Sequence, residues 1–91
     1  MGLLADNDIV ALLEATPGWE RAGDSITTTV THAGFLPAVE FVNRVAALAE
    51  AADHHPDIDI RWNTVTLTLS THSDGGLTAK DFALAKQIDT L

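Results

Sequence analysis

A chain of 91 residues that is 46% hydrophobic can bury a core and is too apolar to stay disordered, which predicts a single domain over residues 1–91. Thirteen acidic residues against five basic ones give a net charge of −8 with no Lys/Arg cluster, which argues against nucleic-acid and anionic-membrane partners. The absence of cysteine excludes disulfides, redox thiols and thiolate metal sites. The opening Met1-Gly2-Leu3-Leu4-Ala5-Asp6 is too short an apolar run for a signal peptide, and Asp6 stands where a myristoylation signal requires Ser or Thr. No run approaches membrane-spanning length, so the sequence predicts a soluble, cytoplasmic protein.

Residues 6–15 read as a short amphipathic helix, capped by Asp6 or Asn7, with Ile9, Leu12 and Leu13 as its apolar stripe. Thr16-Pro17-Gly18 ends it. Trp19 opens a strand-like segment, Ala22-Gly23-Asp24 reads as a turn, and the β-branched run Ser25 to His32 follows as a second strand, so the pair predicts a hairpin. Gly34 to Pro37 breaks the strand, and Pro37 suits the first turn of a helix. Apolar residues then recur at Val39, Val42, Val45, Ala46 and Ala49, widened by Phe41 and Leu48, which is helical spacing up to Ala52. The helix runs into Asp53-His54-His55-Pro56, where the proline biases His55 to an extended backbone and stops it.

Ile58, Ile60 and Trp62 alternate with Asp57, Asp59 and Arg61, and Val65, Leu67 and Leu69 alternate with Thr66, Thr68 and Ser70. Asn63-Thr64 between them predicts a second hairpin. If the alternation continues past Ser70, His72 falls on the polar face. Ser73 to Gly76 is a loop, Thr78 with Asp81 is a capping-box variant, and Leu84, Ala85, Ile88 and Leu91 give a last helix its stripe. Trp19 and Trp62 are expected in the core, the alternative being that one floors a pocket for a flat ligand. The predicted order is α-β-β-α-β-β-α: an α+β fold with a four-stranded antiparallel sheet and helices packed on one face. The open sheet face and two edges leave room for oligomerisation.

The stretch Glu50 to Asp57 carries the chemistry. His54 and His55 sit among Glu50, Asp53 and Asp57 with Pro56 fixing the backbone, and His72 closes the clearest strand pattern. Histidines beside carboxylates are suited to proton transfer. Two other readings compete: a pair of loop histidines with no role, and a metal site of three histidines and an aspartate. Adjacent histidines on an extended segment point in different directions, so the two rings are expected to do different jobs, and the His-x-x-x-His spacing of a helical metal site is missing. At a helix C-terminus the backbone dipole and the nearby carboxylates favour an imidazolium able to act as an acid. His32, without a carboxylate neighbour, is expected at the surface or an edge. Lys80 reads as a solvated residue.

The ordered set Glu50, His54-His55-Pro56, Trp62, His72 and Asp81 resembles the signature of the pterin-4a-carbinolamine dehydratases. Gly18-Trp19, the helix containing Phe41 to Val45, the strand end Leu67 to His72, the turn Gly75-Gly76-Leu77-Thr78 and Lys80-Asp81 extend the resemblance over nearly the whole chain. The resemblance implies the same α+β fold, homodimers or homotetramers, a small-molecule pterin substrate and neither a metal nor an organic cofactor. It implies dehydration of 4a-hydroxytetrahydropterin to quinonoid dihydropterin, in service of pterin recycling. By the same resemblance His54, His55 and His72 are the catalytic candidates. His55 is then the acid at the 4a-hydroxyl, and His54 or His72 assists proton removal at N5. Glu50, Asp53, Pro56, Ser70 and Thr71 are expected near the ring or the histidines, and Asp81 is expected to orient His72 or hold the loop. Two departures from the family pattern stand out: Thr27 to Thr31 replace aromatic residues in the second strand, and Lys80 stands where animal relatives tend to carry Arg. The alternative reading is a protein-binding or assembly module on this fold, a dimerisation cofactor or chaperone, which would not need all three histidines.

Overall fold

The structure, a computed structural model, describes residues 2–91. Helix α1 (Asp6–Ala15) leads into the hairpin β1 (Glu20–Ala22) and β2 (Ser25–Thr31), turned at Gly23 with φ +61°. Helix α2 (Phe35–Ala52) follows, then the hairpin β3 (Asp57–Arg61) and β4 (Thr64–Leu69), a short 3-10 turn at His72–Asp74, and helix α3 (Ala79–Ile88). The sheet order is β1-β2-β4-β3, antiparallel throughout, so the two hairpins join through β2 and β4.

Period-two side-chain alternation explains how this sheet makes a core. The register sets Ile26 opposite Leu69, Val30 opposite Val65, and Ile58 and Ile60 opposite Leu67 and Val65, so these residues share one face. Ile26, Val65, Leu67 and Leu69 are fully buried there, each contributing about 1.5–3 kcal/mol of burial. The helices supply Ile9, Ala38, Val45, Ala49, Phe82, Leu84, Ala85 and Ile88 to the same cluster. The opposite face is a ladder of Thr27–Thr68, Thr29–Thr66 and Thr31–Thr64 pairs. Buried Trp19 donates its indole N–H to Asp89 at 2.9 Å, tying the start of β1 to the end of α3.

Several local expectations are corrected. Neither Asp6 nor Asn7 caps α1: the N-cap is Ala5, with no side-chain hydrogen bond. Ala38 rather than Ala46 faces the core, and Leu91 is exposed. Trp62 lies outside both the strand and the core. It occupies the β3–β4 turn with φ +54°, and a two-residue hairpin loop needs such backbone, so its side chain projects into solvent at 69% exposure. His32 is half-buried instead of lying on the surface, its ring tilted against Phe41 with centroids 4.7 Å apart. β4 ends at Leu69, so strand alternation never reaches His72.

Candidate active site

Helix α2 ends in a way that aims the two histidines. Asp53 takes a left-handed conformation (φ +49°, ψ +43°), and the His54 N–H returns to the Ala49 carbonyl at 3.1 Å, the bond pattern of a Schellman terminus. Glycine is the usual occupant of that position. An aspartate there costs about 1 kcal/mol, and strain of this kind concentrates at functional sites. Pro56 then holds the chain extended into β3, so the rings of His54 and His55 point apart, as adjacent residues on extended backbone must.

His54 turns inward. Its Nε2 lies 2.6 Å from Oδ1 of Asp81, a carboxylate with no solvent exposure in the first turn of α3. The other oxygen, Oδ2, accepts from the Thr78 backbone N–H and from the Thr71 hydroxyl, each at 2.9 Å. The Thr78 hydroxyl lies 2.7 Å from that of Thr71 and accepts from the Lys80 N–H at 3.3 Å. Every partner of Asp81 is a donor, so the neutral His54 ring must carry its proton on Nε2 and leave Nδ1 as its lone-pair nitrogen. The predicted capping box of α3 is present, and the same carboxylate that completes it anchors the histidine.

His55 turns outward. Its Nε2 meets Oε2 of Glu50, one helical turn back on α2, at 2.5 Å in a solvent-exposed pair. His72 arrives from the 3-10 turn, which is pinned by the Thr71–Gly76 bridge and by the Asp74 and Gly75 N–H groups bonding to the Thr71 carbonyl. Asp53, His54, His55, Ser70, Thr71, His72, Ser73 and Lys80 together line a pocket of about 380 Å³. That volume lies within the range of small-molecule sites, although the lining here is mostly polar.

The predicted site residues therefore divide. The three histidines and Asp53 gather at the pocket. Glu50 stands behind His55, and Pro56 acts through the backbone. Ser70 lines the pocket, but its hydroxyl donates to the Asp24 carbonyl at 2.8 Å and ties the site to the β1–β2 turn. Thr71 is buried with its hydroxyl committed to Asp81. Asp81 holds the loop, as expected, but the ring it engages is His54 and not His72. Ser73, Thr78 and Lys80 were not expected in the site; only their closeness to His72 and Asp81 in sequence hinted at them. Among the described residues no group of three or more His, Asp or Glu side chains is arranged to hold a metal ion. None of their helices is long and apolar enough to cross a membrane.

The family model described as Pterin 4 alpha carbinolamine dehydratase matches residues 2–91. A protein of Mycobacteroides abscessus, provisionally named a pterin-4-alpha-carbinolamine dehydratase, is 58% identical over 90 residues, covering 99% of this chain and 96% of its own. One from Nocardia farcinica with the same provisional name is 57% identical over 89 residues, covering 98% and 94%. The crystal structure of a transcriptional coactivator/pterin dehydratase from Brucella melitensis superposes with a TM-score of 0.91 at 31% identity, over 96% of this chain and 95% of that one. A pterin dehydratase-like protein identified as a RuBisCO assembly factor in the alpha-carboxysome shares the fold at a TM-score of 0.64 and 20% identity, over 79% and 83%. An end-to-end family match, relatives above half identity and a shared architecture agree: the chain belongs to the pterin-4-alpha-carbinolamine dehydratase family.

Proposed function

We propose that this protein is a hydro-lyase that converts 4a-hydroxytetrahydropterin to quinonoid dihydropterin and water in the histidine-lined pocket. The observation that carries the reading is the His54–Asp81 pair: a pocket-lining imidazole whose Nε2 is held by a buried carboxylate. The reaction removes a proton from N5 and the hydroxyl from C4a, forming the C4a=N5 double bond. The hydroxyl is a poor leaving group and departs as water once protonated. In this reading Nδ1 of His54 takes the N5 proton, and Asp81 compensates the positive charge the ring acquires. His55, paired with Glu50, delivers a proton to the departing oxygen, and Glu50 holds the ring toward the pocket mouth. His72 lines the same pocket, where it assists proton transfer at N5 or orients the ring. Asp53 supplies a carboxylate of the kind that recognises the amino-pyrimidinone edge of a pterin.

The same reading includes a homodimer or homotetramer, in keeping with the exposed edge strand β3 and the solvent-facing Phe35, Leu36 and Trp62. An assembly or coactivator role is the second reading, since a structural relative carries each of those descriptions. The pocket and its carboxylate-held histidines favour the enzyme, because a docking role needs no such cluster. The test is an ultraviolet stopped-flow assay of 4a-hydroxytetrahydropterin. Dehydration faster than the spontaneous rate, slowed about 10²-fold in His55→Ala, supports the enzyme. No acceleration by folded protein overturns it.

A further inference from the structure

Among the described residues no charged or polar group pairs with the Lys80 side chain. It lies in the first turn of α3, where the helix dipole disfavours a cation. Its ammonium forms no hydrogen bond or ion pair with a described residue: the ion pairs among these residues join Arg21 to Asp6, Arg61 to Asp59, and the two histidines to Asp81 and Glu50. The adjacent carboxylate of Asp81 is buried and already engaged by three donors, and Asp53 on the same pocket is beyond ion-pair distance. A residue that breaks a local preference without a compensating contact is a candidate for function. Lys80 is also exposed, and among the described residues it is the one lysine or arginine lining the histidine pocket.

We infer that Lys80 is a specificity residue that selects pterins whose C6 side chain carries a phosphate ester. This rests on the dehydratase reading above. In a pterin N5 and C6 are bonded neighbours, so a ring that offers N5 to the histidines sends its C6 substituent out past the residues beside them. An exposed lysine next to Asp81, itself bonded to His54, meets that substituent rather than the ring. Ser73 lines the same pocket, but its hydroxyl donates to Asp74 Oδ1 at 3.3 Å, so the contact rests on the lysine. A mobile ammonium meets a phosphate monoester on a flexible chain as a point charge, a contact that an arginine at the same position would also make. The net charge of −8 repels anions at long range, so any preference for phosphate has to come from a local contact of this kind.

The test is calorimetric titration of the full chain with two stable probes, neopterin and its terminal phosphate ester, at low ionic strength. Wild type is expected to bind the ester about 10-fold more tightly, as a charge-assisted contact to phosphate gives. That ratio falls to about 2-fold or less in Lys80→Met, persists in Lys80→Arg and shrinks with added salt. Circular dichroism verifies that both variants are folded. Equal binding of the two probes by wild type, or a preference that survives in Lys80→Met, overturns the role of Lys80 and leaves the dehydratase reading standing. Failure of folded wild type to bind either probe overturns the pterin site itself, and the specificity role with it.

Discussion

Replacing Asp81 by asparagine changes little volume and one essential property. The carboxylate accepts three hydrogen bonds, from His54 Nε2, the Thr71 hydroxyl and the Thr78 N–H. Asparagine keeps one acceptor oxygen, which the Thr71 and Thr78 donors claim, and turns its amide nitrogen toward His54. An amide N–H there donates to Nε2, so the neutral ring must move its proton to Nδ1 and loses the lone pair proposed to take the N5 proton. A misplaced tautomer removes the general base while the architecture persists, and general bases contribute roughly 10²–10⁴-fold. Turnover in Asp81→Asn is therefore expected to fall about 10²-fold or more, with KM changing far less. Stability should drop by about 1–3 kcal/mol, because hydrogen bonds to a charged group are exchanged for weaker ones. Asp81→Ala, which leaves buried donors unpaired, should cost more, about 3–5 kcal/mol. Stopped-flow kinetics gives the rate, and nitrogen-15 chemical shifts of the His54 ring report the tautomer. Unchanged turnover in a folded Asp81→Asn protein, or a His54 ring still protonated on Nε2, would refute the reasoning.

Other consequences follow from the same geometry. Asp53→Gly should relieve left-handed strain and stabilise the fold by about 1 kcal/mol, raising Tm by roughly 4–8 °C, while weakening pterin binding; calorimetry and titration separate the two effects. Pro56→Ala should slow turnover less than His55→Ala, because it loosens the backbone that aims the ring without removing the ring, a ranking that the stopped-flow assay reads directly. Leu67→Ala, at a fully buried site in the central strand β4, should cost about 2–5 kcal/mol by chemical denaturation.

The fold was legible because its elements carry their periods openly. The alternation of Val65, Leu67 and Leu69 with threonines can form only a half-buried strand, and the register shows those three residues on the covered face. The α2 stripe centred on Val45 and Ala49 is equally plain, and Thr78 with Asp81 marked the start of α3. Trp62 was misread because a period-two pattern does not mark where a strand becomes a turn; only the backbone at φ +54° shows that its side chain leaves the sheet. The histidine cluster could be noticed in the sequence, but its wiring could not. His54 and Asp81 are held together by the packing of α2 against α3 and by the Thr71–Thr78 clasp, contacts that no local pattern encodes. Resemblance implied that Asp81 orients His72 or holds the loop; its carboxylate bonds Thr71 and Thr78, and the ring it engages is His54. Lys80 looked like an ordinary solvated lysine because its peculiarity, an unpaired cation at the pocket, exists only in three dimensions.

Whether the histidine pocket carries out pterin dehydration is decided by a single kinetic comparison. Wild type and a His54→Ala/His72→Ala double variant, both verified as folded, are mixed with 4a-hydroxytetrahydropterin in a stopped-flow instrument, and formation of the quinonoid product is followed in the ultraviolet. Wild type is expected to accelerate the reaction clearly, and the double variant to return it to the spontaneous rate. Equal acceleration by both proteins would move the chemistry out of this pocket.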